Sequence, residues 1–350
     1  MKQAATIESI RQRIQQSARP IFLFDDDPDG LASFLILYRM VRAGKGIPLK
    51  GSIIDERMAE KVNNYFPDLV VILDKAEVSQ EFLDQISVDK IWIDHHEVKK
   101  RKGVTYLNPR QEHPENNVAT SHFAYEIAQT GLWQAIVGIV SDWQMPSEDL
   151  LKTFRQEYPG YLPADVTEPE KALFNTKIGE LARVFSFNLK GKTTDIISSM
   201  KILTRIEHPE DLLQKKNSQA KLVMKRYEKH RNEYERIKSS ISINKDDPVL
   251  IFTYADDKNS YTTDLSNELL YEQPDKLIII ARQSNGSYKC SLRSNWLPVN
   301  TMLEQALGDV EGTGGGHEHA CGAVIEADDF TRFVESLREE AREHTKTKNS

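Results

Sequence analysis

The sequence predicts an α/β fold: a parallel-sheet domain joined by a helical linker to a smaller α/β domain. Three observations carry this. Apolar runs of strand length, IFLF (21–24), VVIL (70–73) and KIWI (90–93), alternate with helical stretches, the pattern of a parallel sheet covered on both faces. Each run is followed by carboxylates or histidines, Asp25-Asp26-Asp27-Pro28-Asp29-Gly30, Asp74 and Asp94-His95-His96, which places them at the carboxyl edge where open α/β sheets bind ligands. A second alternation begins near residue 248, after a long charged helix.

In chain order, MKQAATIESIRQRIQQ reads as a short amphipathic helix with Ile7, Ile10 and Ile14 on one face. IFLF is a strand and GLASFLILYRMVRAGKG a helix packed on the sheet, with Gly44 as its expected C-cap. KGIPLKGSIIDE brings a second strand, and a helix leads to VVIL. KAEVSQEFLDQIS is helical, KIWI is the next strand, and TYLNPRQ is a short strand and turn. SHFAYEIAQTGLWQAIVGIVSDW is predominantly helical, so Asp142 lies on or near a helix. Residues 146–215 are mixed and helical, with breaks at Pro159, Pro163 and Pro209. In 217–240 the stripe Val223, Tyr227, His230, Tyr234, Ile237 suits a connecting helix. PVLIFTYA and DKLIIIARQ are strands, and Asn285-Gly286 is a hairpin turn leading into SYKCSLRS. Helices at VNTMLEQAL and from Phe330 to about Glu343 follow, and the final KTKNS is expected to fray. The expected division is residues 1–150, 151–245 and 246–345.

A chain of 350 residues with 39% apolar and 28% charged residues is ordinary for a soluble protein of more than one domain. No run approaches membrane-spanning length and the N-terminus lacks a secretory apolar stretch. Cys290 and Cys321 make no disulfide framework, so a cytoplasmic location with reduced thiols is expected. A net charge of −7 argues against a large non-specific DNA-binding surface, which needs many Lys and Arg contacts to phosphate. It leaves room for a local groove holding a short strand. The run Lys99-Lys100-Arg101-Lys102 reads as a solvated face with phosphate steering as the alternative.

The acidic loop is the strongest site. A solvated turn with an N-cap aspartate needs one aspartate, whereas four lie in the five positions 25–29 beside an apolar strand. Like charges this close require compensating cations. Carboxylates with histidine suit Mn²⁺ or Mg²⁺ better than a thiolate-seeking metal. In Gly314-Gly315-Gly316-His317, three glycines before a histidine allow backbone N–H groups to converge on an anion. Arg293 adds a planar fork suited to phosphate.

These segments resemble the DHH phosphoesterases. DDDPDG is similar to the first motif in its RecJ-like, aspartate-rich form, and Asp94-His95-His96 to the motif that names the superfamily. GGGHEHACG (314–322) resembles the GGGHxxAxG signature of the DHH-associated domain, and Ser291-Leu292-Arg293-Ser294 a substrate-contacting stretch of that domain. The resemblance implies metal ligands at Asp25, Asp27, Asp29, Asp74, His95 and Asp142, with Asp26 pointing away. It implies Asp94 as the residue orienting the site and His96 as donor or general acid at the phosphate. It places Arg293, Ser294, Gly314, Gly315, Gly316 and His317 at the substrate, with Asn108 and Arg110 near the active site. The implied cofactor is a pair of Mn²⁺ ions, with Mg²⁺ as the alternative.

The expected activity is two-metal hydrolysis of short single-stranded RNA or DNA from the 5′ end, across a cleft between the two domains. The alternatives are a RecJ-like single-stranded DNA exonuclease with replication or repair partners, a phosphatase or phosphodiesterase for 3′-phosphoadenosine phosphate or cyclic-dinucleotide products, and an inactive assembly subunit. No membrane association is expected, and the sequence leaves oligomeric state open.

Overall fold

The computed structural model describes residues 2–51, 53–255 and 259–348. The chain divides into two compact units, Met1–Glu228 and Lys229–Ser350. Among the described residues no helix is long and apolar enough to cross a membrane.

The first unit is built on a parallel sheet. Its strands are β1 (Pro20–Asp25), β2 (Lys45–Leu49), β4 (Leu69–Leu73), β6 (Asp89–Ile93) and β7 (Thr105–Leu107), in the order β2-β1-β4-β6-β7. The short strands β3 (Ile53–Ile54) and β5 (Glu77–Val78) form a separate parallel pair. β1 and β4 are buried along their length without alternation, as strands covered on both faces must be. Helix Pro28–Val41 covers one face, with Phe34 stacked on Phe24 at 4.9 Å between ring centroids. β2 lies on one side of β1 and β4 on the other, so the order reverses beside β1. Ligands bind at such a switch point in open α/β sheets.

One local expectation is corrected and a second is refined. The helix after the acidic loop ends at Arg42, whose φ is 51° and whose N–H donates to Tyr38 O, while Gly44 sits beyond it, close against Pro20. The helical stretch 121–143 is two helices, Thr120–Ala128 and Leu132–Ser141, separated by left-handed residues Gln129 (φ 53°) and Gly131 (φ 80°). The break lets the second helix turn back and deliver Asp142 as its C-cap. The stripe Val223, Tyr227, His230, Tyr234 and Ile237 on helix Ser218–Ser239 is buried throughout, as its spacing predicts.

The second unit holds a mixed sheet of β8 (Val249–Ala255), β9 (Leu277–Ser284), β10 (Ser287–Arg293), β11 (Gly312–His317) and β12 (Ala320–Glu326), in the order β11-β12-β10-β9-β8. β8 and β9 are parallel, joined through helix Thr262–Glu272, which the sequence reading did not anticipate. Asn285 (φ 52°) and Gly286 (φ 82°) make the expected hairpin turn, since a two-residue loop of this twist needs both central residues at positive φ. The expected glycine loop is corrected to the edge strand β11, paired antiparallel with β12 and exposed along its length. The terminal helix Phe330–Lys348 runs into the segment expected to fray, and residues 349–350 lie outside the described residues.

Candidate active site

Strand ends bring the acidic residues together. Asp27 caps helix Pro28–Val41, its Oδ1 accepting from Gly30 N at 2.8 Å. A Cβ on Gly30 would stand 2.6 Å from Asp25 O, so this turn requires glycine. Asp29, in the first turn, is 1% exposed. Its two carboxylate oxygens accept from Thr120 N at 2.8 Å and Ser121 N at 3.1 Å, at the start of helix Thr120–Ala128, where free backbone donors favour an anion.

Asp74 follows β4 in the left-handed region (φ 56°), its N–H donating to Ile93 O at 2.9 Å. Its Oδ1 accepts from Thr120 Oγ1 at 3.2 Å and lies 3.3 Å from His95 Nε2. A non-glycine residue held at positive φ on a strand end is the kind of strain that active sites retain. His95 Nδ1 is 2.7 Å from Asn117 Oδ1 and 3.6 Å from Asp142 Oδ2. Asp29, His95 and Asp142 each bring a ligand atom within 4.8 Å of the others, and so do Asp74, His95 and His96.

Asp94 is fully buried behind His96. Asp94 Oδ1 lies 2.7 Å from His96 Nδ1, and Oδ2 accepts from His96 N at 3.1 Å and Tyr106 OH at 3.2 Å. Nε2 of His96 is thereby left as the atom that can act.

Electrostatics agree with a cation centre. Burial, then the charges of Asp74 and Asp142, push Asp29 up to about 8. Burial raises Asp27 well above the usual carboxylate range, with Asp74, Asp25 and Asp29 adding to it. Burial likewise takes Asp142 to about 6 against the pull of His95. Burial opposes the charge on His95, but its bond to Asp74 and the charges of Asp142, Asp74 and Asp29 outweigh it and hold it at about 11. Burial also works against an ionised Asp74, yet His95 keeps it below the usual range. Protons thus stand where the donor set calls for cations. Oxygen donors with one or two imidazoles fit Mn²⁺ or Mg²⁺.

In the second unit, Arg293 at the end of β10 is fixed on three sides. Its Nε donates to Asn267 Oδ1 at 2.9 Å and Nη1 to Leu292 O at 2.8 Å and Cys321 O at 3.1 Å. Nη2 has no partner among the described residues.

Two domain families match the chain: the DHH family N-terminal domain over residues 21–152 and the DHHA1 domain over residues 246–343. The chain belongs to the DHH superfamily. No curated protein matches it in sequence. Among solved structures, RecJ of Thermus thermophilus in complex with Mn²⁺ superposes with a TM-score of 0.69 at 15% identity, over 98% of this chain and 55% of RecJ. The chain therefore spans about half the length of that relative, which is also known with Mg²⁺. Exonuclease RecJ bound to manganese matches at 0.58 and 15% identity, over 97% of this chain and 94% of that one. A pGpG-specific phosphodiesterase from Vibrio cholerae matches at 0.51 and 10% identity, over 93% of this chain and 99% of that one.

Within the DHH and DHHA1 domains, the surroundings of the other expected residues are as follows. Asn108 is 4% exposed, and its Nδ2 donates to Asp94 Oδ2, His96 O and Tyr106 OH while its Oδ1 accepts from Arg110 N. Its amide braces the DHH loop beside Asp94 and His96. Arg110 is half-buried beside it, its Nε without a partner. Ser294 is fully buried and its Oγ accepts from Trp296 N and Leu297 N, capping the turn that follows. Gly314, Gly315 and Gly316 lie extended on β11 instead of forming a concave nest, with His317 exposed at its end. Asp25 is held by the ammonium of Lys75. Sequence reasoning missed Lys75, Asn117, Thr120, Ser121 and Asn267. Only Lys75 left a signal, as a lysine directly after a strand-end aspartate.

Proposed function

We propose that this chain hydrolyses phosphodiester bonds of short single-stranded oligonucleotides from the 5′ end, in a Mn²⁺- or Mg²⁺-dependent reaction. The observation that carries this reading is the meeting of Asp29, Asp74, His95 and Asp142 beside a histidine, His96, that a buried carboxylate orients.

Asp29, Asp74, His95 and Asp142 would hold the divalent ion, with Asp27 adjoining. Such an ion supplies Lewis acidity toward a phosphoryl oxygen and offsets developing negative charge. Asp94 accepts from Nδ1–H of His96 and favours the imidazolium, and burial alone would lower its pKa; the net direction is upward. His96, protonated, donates from Nε2 to an oxygen of the scissile phosphate. Asn108 and Tyr106 keep Asp94 in place. Arg293 and His317 bind a phosphate of the substrate, the free Nη2 of Arg293 serving as the donor.

Short substrates are favoured because the net charge is −7 and a long strand path needs many cationic contacts. The likeness in fold and length to a phosphodiesterase specific for pGpG points the same way. The deciding experiment supplies 5′-labelled RNA and DNA of graded length with Mn²⁺ and resolves the products. Mononucleotide release fastest on two- to five-residue substrates is expected. Preference for long single-stranded DNA would favour a repair nuclease, and no turnover of either would remove the nuclease reading. Asp74→Asn is the appropriate inactive control, because asparagine tolerates the left-handed backbone at this position.

A further inference from the structure

Lys75 is fully buried at the rim of the acidic centre. Its ammonium reaches three acceptors: Asp25 Oδ1, Gly51 O and, at 3.4 Å, Leu49 O. An ammonium has three hydrogens, so this group is saturated. The left-handed turn at Asp74 takes the chain out of β4, and Trp92 Nε1 pins the next carbonyl, donating to Lys75 O at 3.0 Å. The side chain is therefore built in from both ends. A buried lysine without a matched partner would be costly, and this one has a carboxylate and two carbonyls.

The consequence concerns the cations. The Lys75 charge acts on Asp25 and Asp26, and Asp25 in turn adjoins Asp74 and Asp27. The tight cluster of Asp29, His95 and Asp142, by contrast, does not include Asp25. One oxygen of Asp25 is already taken by a fixed positive charge, and that charge repels any ion placed on the other.

Resting on the metal-centre reading above, we propose that Lys75 takes the place of a metal ion at Asp25, so that the centre holds one divalent cation tightly, through Asp29, Asp74, His95 and Asp142, and a second only weakly. The weak position, beside Asp27 and Asp74, gains an ion chiefly when substrate phosphate adds its own negative charge. Lys75 is here a positioning residue: it acts through Asp25 and through its charge.

The test is calorimetric titration of the full chain with Mn²⁺ alone, with native mass spectrometry for stoichiometry. Wild type should bind one ion at least a hundredfold more tightly than a second. Lys75→Met, which keeps the aliphatic stem, should tighten the second event tenfold or more and leave the first unchanged. Asp25→Asn should leave the first event unchanged, and Lys75→Met/Asp25→Asn should lose the gain of Lys75→Met. Two ions of equal affinity in wild type, or a loss of first-event affinity in Asp25→Asn, would overturn the proposal. Should Lys75→Met fail to fold, the wild-type stoichiometry and Asp25→Asn still decide. Absence of any Mn²⁺ binding would instead remove the metal-centre reading itself.

Discussion

A β-carbon on Gly138 would stand 2.7 Å from Asp29 Oδ1 and equally close to Ser121 Cβ. Helix Leu132–Ser141 thus passes against the side of the acidic centre, and only a glycine admits that approach. Gly138→Ala must displace Asp29 or Ser121, since both side chains are short, buried and hydrogen-bonded where they stand. It should cost about 1–3 kcal/mol of stability through overpacking. Mn²⁺ affinity should fall about tenfold or more, because the ligand is moved. Thermal melts and metal titration check this, and an unchanged metal affinity with lowered stability would mean that Ser121 alone gives way and Asp29 keeps its place.

His96 gives a sharper distinction, because its ring is held by Asp94 while Asp74 and His95 also lie within ligand reach. If it acts on phosphate, His96→Ala should lower kcat by roughly 10²–10⁴-fold with Mn²⁺ still bound. Asp94→Asn should lower kcat by a smaller factor and retain metal, since it disturbs the orientation and charge of His96 only. Metal loss equal to that of His95→Ala would place His96 among the ligands.

The parts legible in the sequence were those with a local code. Strand length, the β–α alternation and strand-end aspartates located β1, β4 and β6, and the Asn285-Gly286 pair located a hairpin. What stayed hidden depends on contacts distant in sequence. Thr120 and Ser121 serve Asp29 through backbone N–H groups, which residue identity does not reveal. Asn108 was expected near the active site, but that its four hydrogen bonds brace Asp94, Tyr106 and the backbone there is not written in the local sequence. The glycines of β11 read as a loop because glycine is rare in strands, and only pairing with β12 makes them one.

Protonation gives a pH signature. Asp27, Asp29 and Asp142 have folded pKa values above their unfolded values of about 3.9. Such groups stabilise the fold at low pH, and this contribution is lost as pH rises through the folded pKa. His95, held up to about 11, adds a loss that begins above its unfolded value of roughly 6.5. Asp74 is lowered, so its contribution is complete well before neutrality. The melting temperature in EDTA should therefore fall between about pH 5 and pH 8.5, and saturating Mn²⁺ should abolish the fall by replacing the protons. A metal-free melting temperature that rises across this range would contradict the protonated centre.

The last prediction concerns Arg293, whose Nε and Nη1 are occupied by Asn267, Leu292 O and Cys321 O. Burial lowers its pKa from the ordinary arginine value, but the guanidinium stays charged, and Nη2 remains to meet a ligand. If it anchors a substrate phosphate, Arg293→Ala should raise KM for a short 5′-phosphorylated oligonucleotide by ten- to a hundredfold, with little change in kcat or metal binding. Asn267→Ala should give a smaller rise in KM, because it frees the guanidinium to swing without removing its charge. Arg293→Lys should restore little, since a point charge cannot keep the Asn267 contact and the forked geometry together. The penalty should shrink on the same oligonucleotide lacking its 5′-phosphate. Equal penalties on both substrates would show that Arg293 does not read the end, and the 5′-directed part of the functional reading would then fall while hydrolysis itself stood.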